Sequence, residues 1–202
     1  MLYNLSKKRP ALLIFIGILA FCFLFAGEVI GQEFIEVPTI PAFVAARDKN
    51  GSISYLKVKE VEKIFRSTSP ILQGFYHHSK IDSLIVPEQE WLESVLNVAL
   101  EFYWSQGLKG KAESWDCDNF SMFLSSMITI NLWRAGYTKV RCAVGWMVVN
   151  ASKGWAGLPP SRHALMFAIT SKGPIVIEPQ NGQYIELDRY PNKLFIDKVF
   201  LL

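Results

Sequence analysis

The apolar residues of this chain change their period once along its length. Over residues 87–104 and again over residues 117–135 they recur at spacings of three and four, which is typical of a helix with one buried face. Beyond these helices the period becomes that of strands, in runs rich in Val, Ile and aromatic residues at 139–149, 164–170, 174–178 and 194–202. Long helices followed by strands with short connections predict an α+β fold, in which a long helix packs on an antiparallel sheet.

The N-terminus has the composition of an export signal. Lys7, Lys8 and Arg9 precede an uninterrupted apolar run over residues 11–26, which is the order of charge and hydrophobicity in a secretory signal. The run is slightly long for a cleaved signal and slightly short for a spanning helix, so residues 1–31 are predicted to be either a signal peptide or a membrane anchor. In both cases the protein is exported and is periplasmic, attached to the cell envelope or secreted.

The rest of the chain is close to electrically neutral. The 202 residues carry 21 Lys and Arg against 18 Asp and Glu, and residues 1–31 hold three of the bases and one of the acids, which leaves a net charge of +1. A nearly neutral chain without a basic run among aromatic residues is not typical of nucleic-acid binding. Its length predicts one main domain over residues 87–202, preceded by a lead-in and accessory segment over residues 32–86.

Cys117 stands at the predicted start of the second helix. It follows Trp115 and Asp116, and Asp116 is a good N-cap residue. A sulfur in the first turn of a helix lies near unpaired backbone amides and the positive end of the helix dipole, which favour a thiolate. The position therefore indicates a nucleophile, although the carboxylates of Asp116 and Asp118 oppose a thiolate unless they are paired themselves.

A cysteine nucleophile needs a base, and the chain has three histidines. His77 and His78 lie side by side in a polar segment that is typical of a solvated surface. His163 instead precedes the predicted strand of residues 164–170, at the rim of the sheet, where ligands reach. We therefore expect His163 to be the general base.

Glu178 ends the next predicted strand. An apolar run of Pro, Ile, Val and Ile leads into this carboxylate, and a Pro and an Asn-Gly turn follow it. A buried strand does not usually end in a charge for packing reasons, and a hairpin neighbour of the His163 strand could place Glu178 against Nδ1 of the imidazole. The sequence therefore predicts a triad of Cys117, His163 and Glu178.

Three short motifs around these residues resemble a known superfamily. Asp-Cys-Asp-Asn-Phe opens the helix at Cys117, His-Ala opens the strand at His163, and Glu-Pro-Gln-Asn-Gly begins at Glu178. In this order they are similar to the papain-like superfamily of cysteine peptidases in its transglutaminase-like branch, and most closely to the C-terminal protease domain of the fairy-ring mushroom agglutinin. The resemblance covers about residues 87–190, and it implies a papain-like core with a Cys-His-Glu triad at these three positions.

The same resemblance implies further site residues. Gln106 and Trp115 precede the nucleophile and are the candidates for the oxyanion donor, with Gln180 as an ancillary residue. Some members of the superfamily need calcium or another divalent ion, for which Asp116, Asp118 and Gln180 are the candidate ligands. No cofactor is expected to be required for the reaction itself.

The predicted chemistry is acyl transfer through a thioester on Cys117. Resolution by water makes the protein a peptidase or amidase, which we favour, and resolution by a lysine amine makes it a transglutaminase. The alternatives are an inactive cell-envelope binding module on the same fold, and a structural domain in which Cys117 and Cys142 form a disulfide. We expect a monomer that acts on a protein or peptide and meets a membrane only through its N-terminal segment.

Several other residues are expected in the core. Cys142 lies in a strand interior and is predicted to be a buried free thiol. Four large aromatic residues are predicted to pack inside the protein rather than to form a substrate-binding surface: Phe123, Trp133, Trp146 and Phe167.

Overall fold

The computed structural model of the protein describes residues 38–77, 80, 82–107 and 117–201. They belong to one compact unit, Pro38–Leu202. The predicted signal peptide or anchor lies outside the described residues. Within the described ranges, no helix combines the length and the apolar character that crossing a membrane requires.

The described residues form an α+β structure, as the change of period predicts. Two short 3₁₀ turns, Leu187–Arg189 and Lys193–Phe195, precede the last strand. The helices and strands in chain order are β1 (Tyr55–Lys57), α1 (Val58–Thr68), β2 (Gly74–His77), β3 (Ser83–Ile85), α2 (Gln89–Ser105), α3 (Cys117–Arg134), β4 (Arg141–Cys142), β5 (Val144–Asn150), β6 (Arg162–Thr170), β7 (Gly173–Ile177), β8 (Tyr184–Glu186) and β9 (Ile196–Leu201).

The two long helices lie within two residues of their predicted bounds. Helix α3 ends where Gly136 adopts a left-handed conformation, with φ of 88°. The Gly136 N–H donates to the Trp133 carbonyl at 2.9 Å and the Tyr137 N–H to the Leu132 carbonyl at 3.2 Å. These bonds satisfy carbonyls that the last turn leaves open, so glycine ends the helix as its position in the sequence predicts.

Most strands belong to one six-stranded sheet in the order β2-β9-β5-β6-β7-β8. The strands from β9 to β8 in this order pair antiparallel, as predicted, but β2 pairs parallel with β9. The sheet is therefore mixed rather than purely antiparallel. A second, three-stranded sheet has the order β1-β3-β4.

The two faces of the large sheet carry separate cores. Along β6, Met166 and Ala168 pack with residues of α2 and α3, whereas the alternate residues Leu165, Phe167 and Ile169 pack with α1 and with the segment after β8. This alternation is the ordinary consequence of the strand period of two. Helix α3 therefore lies on the Met166 face, which we call the helix face.

Residues before position 87 take part in both sheets. Strand β2 extends the large sheet beyond β9, and β3 links β1 to β4. The predicted division of the chain into 32–86 and 87–202 thus does not coincide with a division of the compact unit.

Candidate active site

Cys117 is the first residue of α3, as predicted, and is half-buried. The helix packs on β6, where Ser125 Oγ lies 3.9 Å from Met166 Sδ. At its N-terminal end, Cys117 Sγ accepts a hydrogen bond from the backbone N–H of Ala164 at 3.2 Å. The sulfur is therefore fixed against the start of β6, beside His163.

The register of the sheet explains why the Ala164 amide is free to bind sulfur. The Ile169 N–H donates to the Ala143 carbonyl on the β5 side of β6, and successive amides of a strand point to opposite edges, so the Ala164 N–H points toward β7. Strand β7 ends at Ile177, opposite Met166, before it reaches the level of Ala164. Because β7 ends early, it does not reach the Ala164 N–H at this edge of the sheet. Cys117 Sγ accepts the hydrogen bond from this N–H instead.

His163 and Glu178 form a close pair at this edge. His163 Nε2 lies 3.4 Å from Glu178 Oε2, and the two side chains are 17% and 0% exposed. Both atoms are buried, and neither has another hydrogen-bond partner among the described residues. The prediction that Glu178 faces Nδ1 is wrong, because the carboxylate faces Nε2.

The turn after β7 holds the Glu178 carboxylate in place. Its second oxygen, Oε1, accepts the backbone N–H of Gln180 at 3.0 Å. The Glu178 N–H donates to the Gln183 carbonyl, and the Gly182 N–H donates to the Glu178 carbonyl, each at 2.8 Å. Gln180 therefore contributes to the site through its backbone amide, which positions the carboxylate.

These contacts raise the pKa of His163 to about 10. The hydrogen bond with Cys117 is the largest cause and the contact with Glu178 the second, while partial burial of the ring acts in the opposite direction. At 3.4 Å the contact with Glu178 is long for an N–H···O hydrogen bond, so charge attraction contributes to it. The geometry suits a protonated ring between a sulfur and a buried carboxylate.

Besides Gln180, the structure describes two of the other predicted site residues, Gln106 and Asp118. Gln106 is exposed at the end of α2, and its side-chain amide donates to Ser105 Oγ at 3.4 Å. Asp118 is half-buried in the first turn of α3. Trp115 and Asp116 lie outside the described residues. Among the residues that the structure does describe, no cluster of three or more His, Cys, Asp or Glu side chains could hold a metal ion.

The second cysteine of the unit is not linked to the site. Cys142 is a buried free thiol, as predicted, and Cys117 is free as well. Burial raises the pKa of Cys142 well above its ordinary value. The alternative of a structural domain with a Cys117–Cys142 disulfide therefore does not hold in this structure.

The loop between β5 and β6 borders the histidine, and its residues were not predicted to be part of the site. Trp155, Leu158 and Pro159 of this loop line the same small cavity as His163. Asn181 Nδ2 donates to the Ala156 carbonyl at 2.7 Å and ties the loop to the turn after Glu178. The Asn-Gly pair indicated this turn, but no sequence pattern indicated that the Asn181 side chain would reach another loop.

The comparisons with known proteins yield structures only. No family model matches the sequence, and no curated protein matches it. A structure of Polyporus squamosus lectin bound to the human-type influenza-binding epitope Neu5Aca2-6Galb1-4GlcNAc matches 77% of this chain with a TM-score of 0.52 at 15% identity. A structure titled "PSL1a-E64 complex" matches 77% with a TM-score of 0.50 at 16% identity. This chain spans 55% of each matched chain.

These neighbours contradict the family resemblance drawn from the sequence motifs. The first is named as a lectin, and neither title names a papain-like peptidase, a transglutaminase or an agglutinin protease domain. The assignment to the papain-like superfamily is therefore wrong, and the papain-like core is not confirmed. Short motifs scattered along a chain record local arrangements around single residues, and such arrangements recur on unrelated folds. What the comparison establishes is a fold shared with part of a lectin chain.

Proposed function

We propose that this chain is an exported cysteine hydrolase, a peptidase or amidase, in which Cys117 is the nucleophile, His163 the acid and base, and Glu178 the orienting carboxylate. One observation carries the proposal: the Ala164 amide holds Cys117 Sγ at the start of β6, next to His163, whose Nε2 faces a fully buried carboxylate. Nucleophile, base and orienting group in one row are the arrangement that activates a thiol. The export signal inferred from residues 1–31 supplies the localisation.

The mechanism follows from the protonation of this row. With a pKa of about 10, His163 holds a proton at neutral pH, and Cys117 attacks an amide carbon as the thiolate. The imidazolium gives its proton to the leaving amine as the C–N bond breaks, which leaves a thioester and a neutral ring. Water then loses a proton to His163 and attacks the thioester carbon, and the departure of the carboxylic acid product restores the thiolate. An amine in place of water would give transamidation instead.

Thiol alkylation tests the proposal directly. Iodoacetamide should label Cys117 in the folded wild-type protein, and His163→Ala should slow labelling by about tenfold or more, because a cysteine without a neighbouring imidazolium is only a few per cent thiolate at about pH 7. His77→Ala is the matched control, since His77 is exposed on β2, and it should label at the wild-type rate. Equal rates in wild type and His163→Ala would contradict an activating histidine.

A second candidate is a binding module without catalysis. The lectin whose structure shares this fold is bound to the glycan Neu5Aca2-6Galb1-4GlcNAc, which favours testing that trisaccharide. Saturable binding of the glycan by the full chain, together with wild-type labelling rates in His163→Ala, would favour this candidate over the hydrolase. E64 is named in complex with the second neighbour and gives the opposite test, because a mass adduct of E64 at Cys117 would favour the hydrolase.

A further inference from the structure

The loop between β5 and β6 forms a tight hairpin beside His163. The Trp155 N–H donates to the Leu158 carbonyl at 3.1 Å, and the Leu158 N–H donates to the Trp155 carbonyl at 2.9 Å. We call residues 155–158 the loop hairpin. Its two ends line a cavity with His163 whose volume is about 10 Å³, close to the least that holds one water molecule. The loop hairpin therefore lies close to the His163 ring.

The loop hairpin borders the site from the side opposite to helix α3. Successive residues of a strand point to opposite faces of a sheet, and Met166 of β6 packs on the helix face. His163 and Leu165 therefore belong to the other face, and both line the cavity beside the loop hairpin. Helix α3, which begins at Cys117, lies on the helix face, so the two elements border the histidine from the two faces of the sheet.

The tip of the loop hairpin has a conformation that its sequence does not favour. Ala156 has φ of 54° and Gly157 has φ of 80°, and Ala156 is the one residue other than glycine with positive φ in the described part of the chain. Positive φ at both central residues is the pattern of a type I′ turn, which favours Asn and Gly. An alanine in this conformation is strained, and such strain persists where the surrounding structure fixes it. The tip therefore needs a contact from outside the hairpin.

Asn181 supplies this contact. Among the described residues, the tip makes one hydrogen bond to another segment of the chain, from Asn181 Nδ2 to the Ala156 carbonyl at 2.7 Å. Asn181 Oδ1 accepts the Gln183 N–H at 3.0 Å, within its own turn. In this turn the Gln180 N–H also donates to Glu178 Oε1. One side chain thus connects the turn that holds the carboxylate to the hairpin that lies beside the ring.

We infer that Asn181 is a positioning residue, whose hydrogen bond to the Ala156 carbonyl keeps the loop hairpin closed beside His163 and so holds the ring against Glu178. The two facing atoms of this pair, 3.4 Å apart, are buried and have no other hydrogen-bond partner among the described residues. A hairpin that opens admits water, which competes for both atoms and weakens their attraction. The inference rests on the proposed hydrolase, because it concerns the acid and base of that reaction.

Asn181→Ser tests the inference on the full chain. A serine hydroxyl can still accept the Gln183 N–H within the turn, but it is too short to reach the Ala156 carbonyl. Iodoacetamide labelling of Cys117 should slow by about threefold or more, because the base is displaced. The NMR titration midpoint of His163 should fall from about 10 toward 6.5, since the ring loses contacts that raise its pKa. Ser161→Ala, which removes an exposed 3.4 Å bond within the same loop, should label at the wild-type rate.

A second substitution shows whether Asn181 acts through the loop hairpin. Glycine adopts positive φ without the strain of alanine, so Ala156→Gly should let the hairpin close without the Asn181 bond. The double variant Asn181→Ser with Ala156→Gly should therefore label faster than Asn181→Ser alone, and its His163 midpoint should return toward about 10. An absence of rescue would overturn the inference, because Asn181 would then act on the Glu178 turn directly.

A third substitution opens the hairpin without changing the Glu178 turn. Ala156→Val places a β-branched residue at positive φ, which is unfavourable, and should slow labelling as Asn181→Ser does. Equal labelling rates in wild type and His163→Ala would refute the hydrolase itself. Labelling that depends on His163 but proceeds at the wild-type rate in Asn181→Ser and Ala156→Val would overturn only the positioning role of Asn181.

Discussion

His163 and Glu178 meet because two strands of one hairpin end at different levels. Strand β6 begins next to His163, and β7 stops at Ile177, so the following residue, Glu178, turns its carboxylate into the space beside the ring. A carboxylate that is 0% exposed needs partners for its charge, and Glu178 has the His163 ring on one oxygen and the Gln180 amide on the other. The fold therefore holds the Glu178 carboxylate next to the His163 ring.

Replacing Glu178 by Gln tests the charge at nearly constant shape. Glu178→Gln removes the second largest cause of the raised His163 pKa, so the titration midpoint of the ring should fall from about 10 toward its ordinary value of 6.5. NMR titration of labelled histidine measures this midpoint, and His77 in the same spectrum is the internal control. An unchanged midpoint in the variant would show that Glu178 does not act on the ring.

The same pair predicts how stability depends on pH. Because the folded-state pKa of His163 is raised from 6.5 to about 10, its contribution to stability is complete below pH 6.5 and is lost as the pH rises through 10. Glu178→Gln should lower the free energy of unfolding by about 1–3 kcal/mol at neutral pH, and by less as the pH approaches 10. Urea unfolding of both proteins at several pH values checks this, and a gap that widens with pH would contradict it.

At the scale of elements, the loop between β5 and β6 depends on one buried amide. Asn192 is fully buried, and its Oδ1 accepts the backbone N–H groups of Ser152 and Lys153 at 3.0 and 2.9 Å. Its Nδ2 donates to the Lys153 carbonyl at 2.8 Å. The same loop carries Trp155, whose ring meets Tyr190 edge-on at 5.2 Å. Asn192 thus holds the start of the loop that lies against His163.

Asn192→Ala should therefore affect both stability and reactivity. The change leaves buried backbone groups without partners, which should lower the free energy of unfolding by about 1–3 kcal/mol, and it should slow iodoacetamide labelling of Cys117 because the wall beside His163 loosens. Ser161→Ala on the same loop removes only a 3.4 Å exposed hydrogen bond and serves as the control. Wild-type labelling in Asn192→Ala would show that the loop does not position the ring.

Strand β5 is held close to its neighbours by a residue without a side chain. A Cβ at Gly145 would lie 2.7 Å from the Phe167 ring and closer still to the Phe200 carbonyl oxygen. Gly145→Ala should lower the free energy of unfolding by about 1–3 kcal/mol or more, because the backbone of β9 must move. Gly51→Ala, in a turn with open space around it, carries only the cost of a left-handed backbone at φ of 79°, about 1–2 kcal/mol. Thermal unfolding compares the two variants. A loss in Gly145→Ala no larger than that in Gly51→Ala would show that β5 and β9 adapt to the added methyl group.

The sequence predicts those helices and strands whose pattern of apolar residues is complete within one segment of the chain. Helix α2 and strands β6 and β7 carry their apolar pattern within one segment, so their bounds are close to those predicted. Strand β2 was missed because it pairs with β9, more than 100 residues later in the chain, and no local signal reports such a partner. The choice between Nδ1 and Nε2 of His163 likewise depends on where β7 ends relative to β6.

Helix α3 shows a second limit of pattern reading. Its apolar residues surround most of the helix, so the period does not identify which side faces solvent. Trp133 was predicted in the core and is 66% exposed, and that prediction is wrong. Phe167 and Phe123 pack as predicted, Phe167 being buried in the core on the other face of the sheet and Phe123 stacking on Phe102 at 5.4 Å. Only tertiary contacts distinguish these aromatic residues from Trp133.

At the scale of the whole molecule, an early strand and the last strand of the described chain pair in the large sheet. Strand β9 is formed by the last described residues, yet it lies between β2 and β5 rather than at an edge. It pairs parallel with β2 and antiparallel with β5. A parallel pair requires a long connection, and here that connection contains most of the fold, including Cys117, His163 and Glu178. The sheet that carries the site is therefore completed only by the last residues of the described chain, which form β9.

Truncations at the two ends should have opposite effects. Removing residues 196–202 deletes β9, which is the one strand that pairs with β2 in the described sheet and the outer neighbour of β5. The deletion also uncovers buried residues such as Val149, which lie in one hydrophobic cluster with residues of α1. This variant should lack a cooperative unfolding transition and the near-ultraviolet circular dichroism of packed aromatics. Removing residues 1–37 leaves the compact unit Pro38–Leu202 intact, and this variant should unfold cooperatively and label at Cys117 at the full-length rate. If the C-terminal truncation folds and labels normally, β9 does not hold the sheet together, and the site must be stabilised by α3 and the β6–β7 hairpin alone.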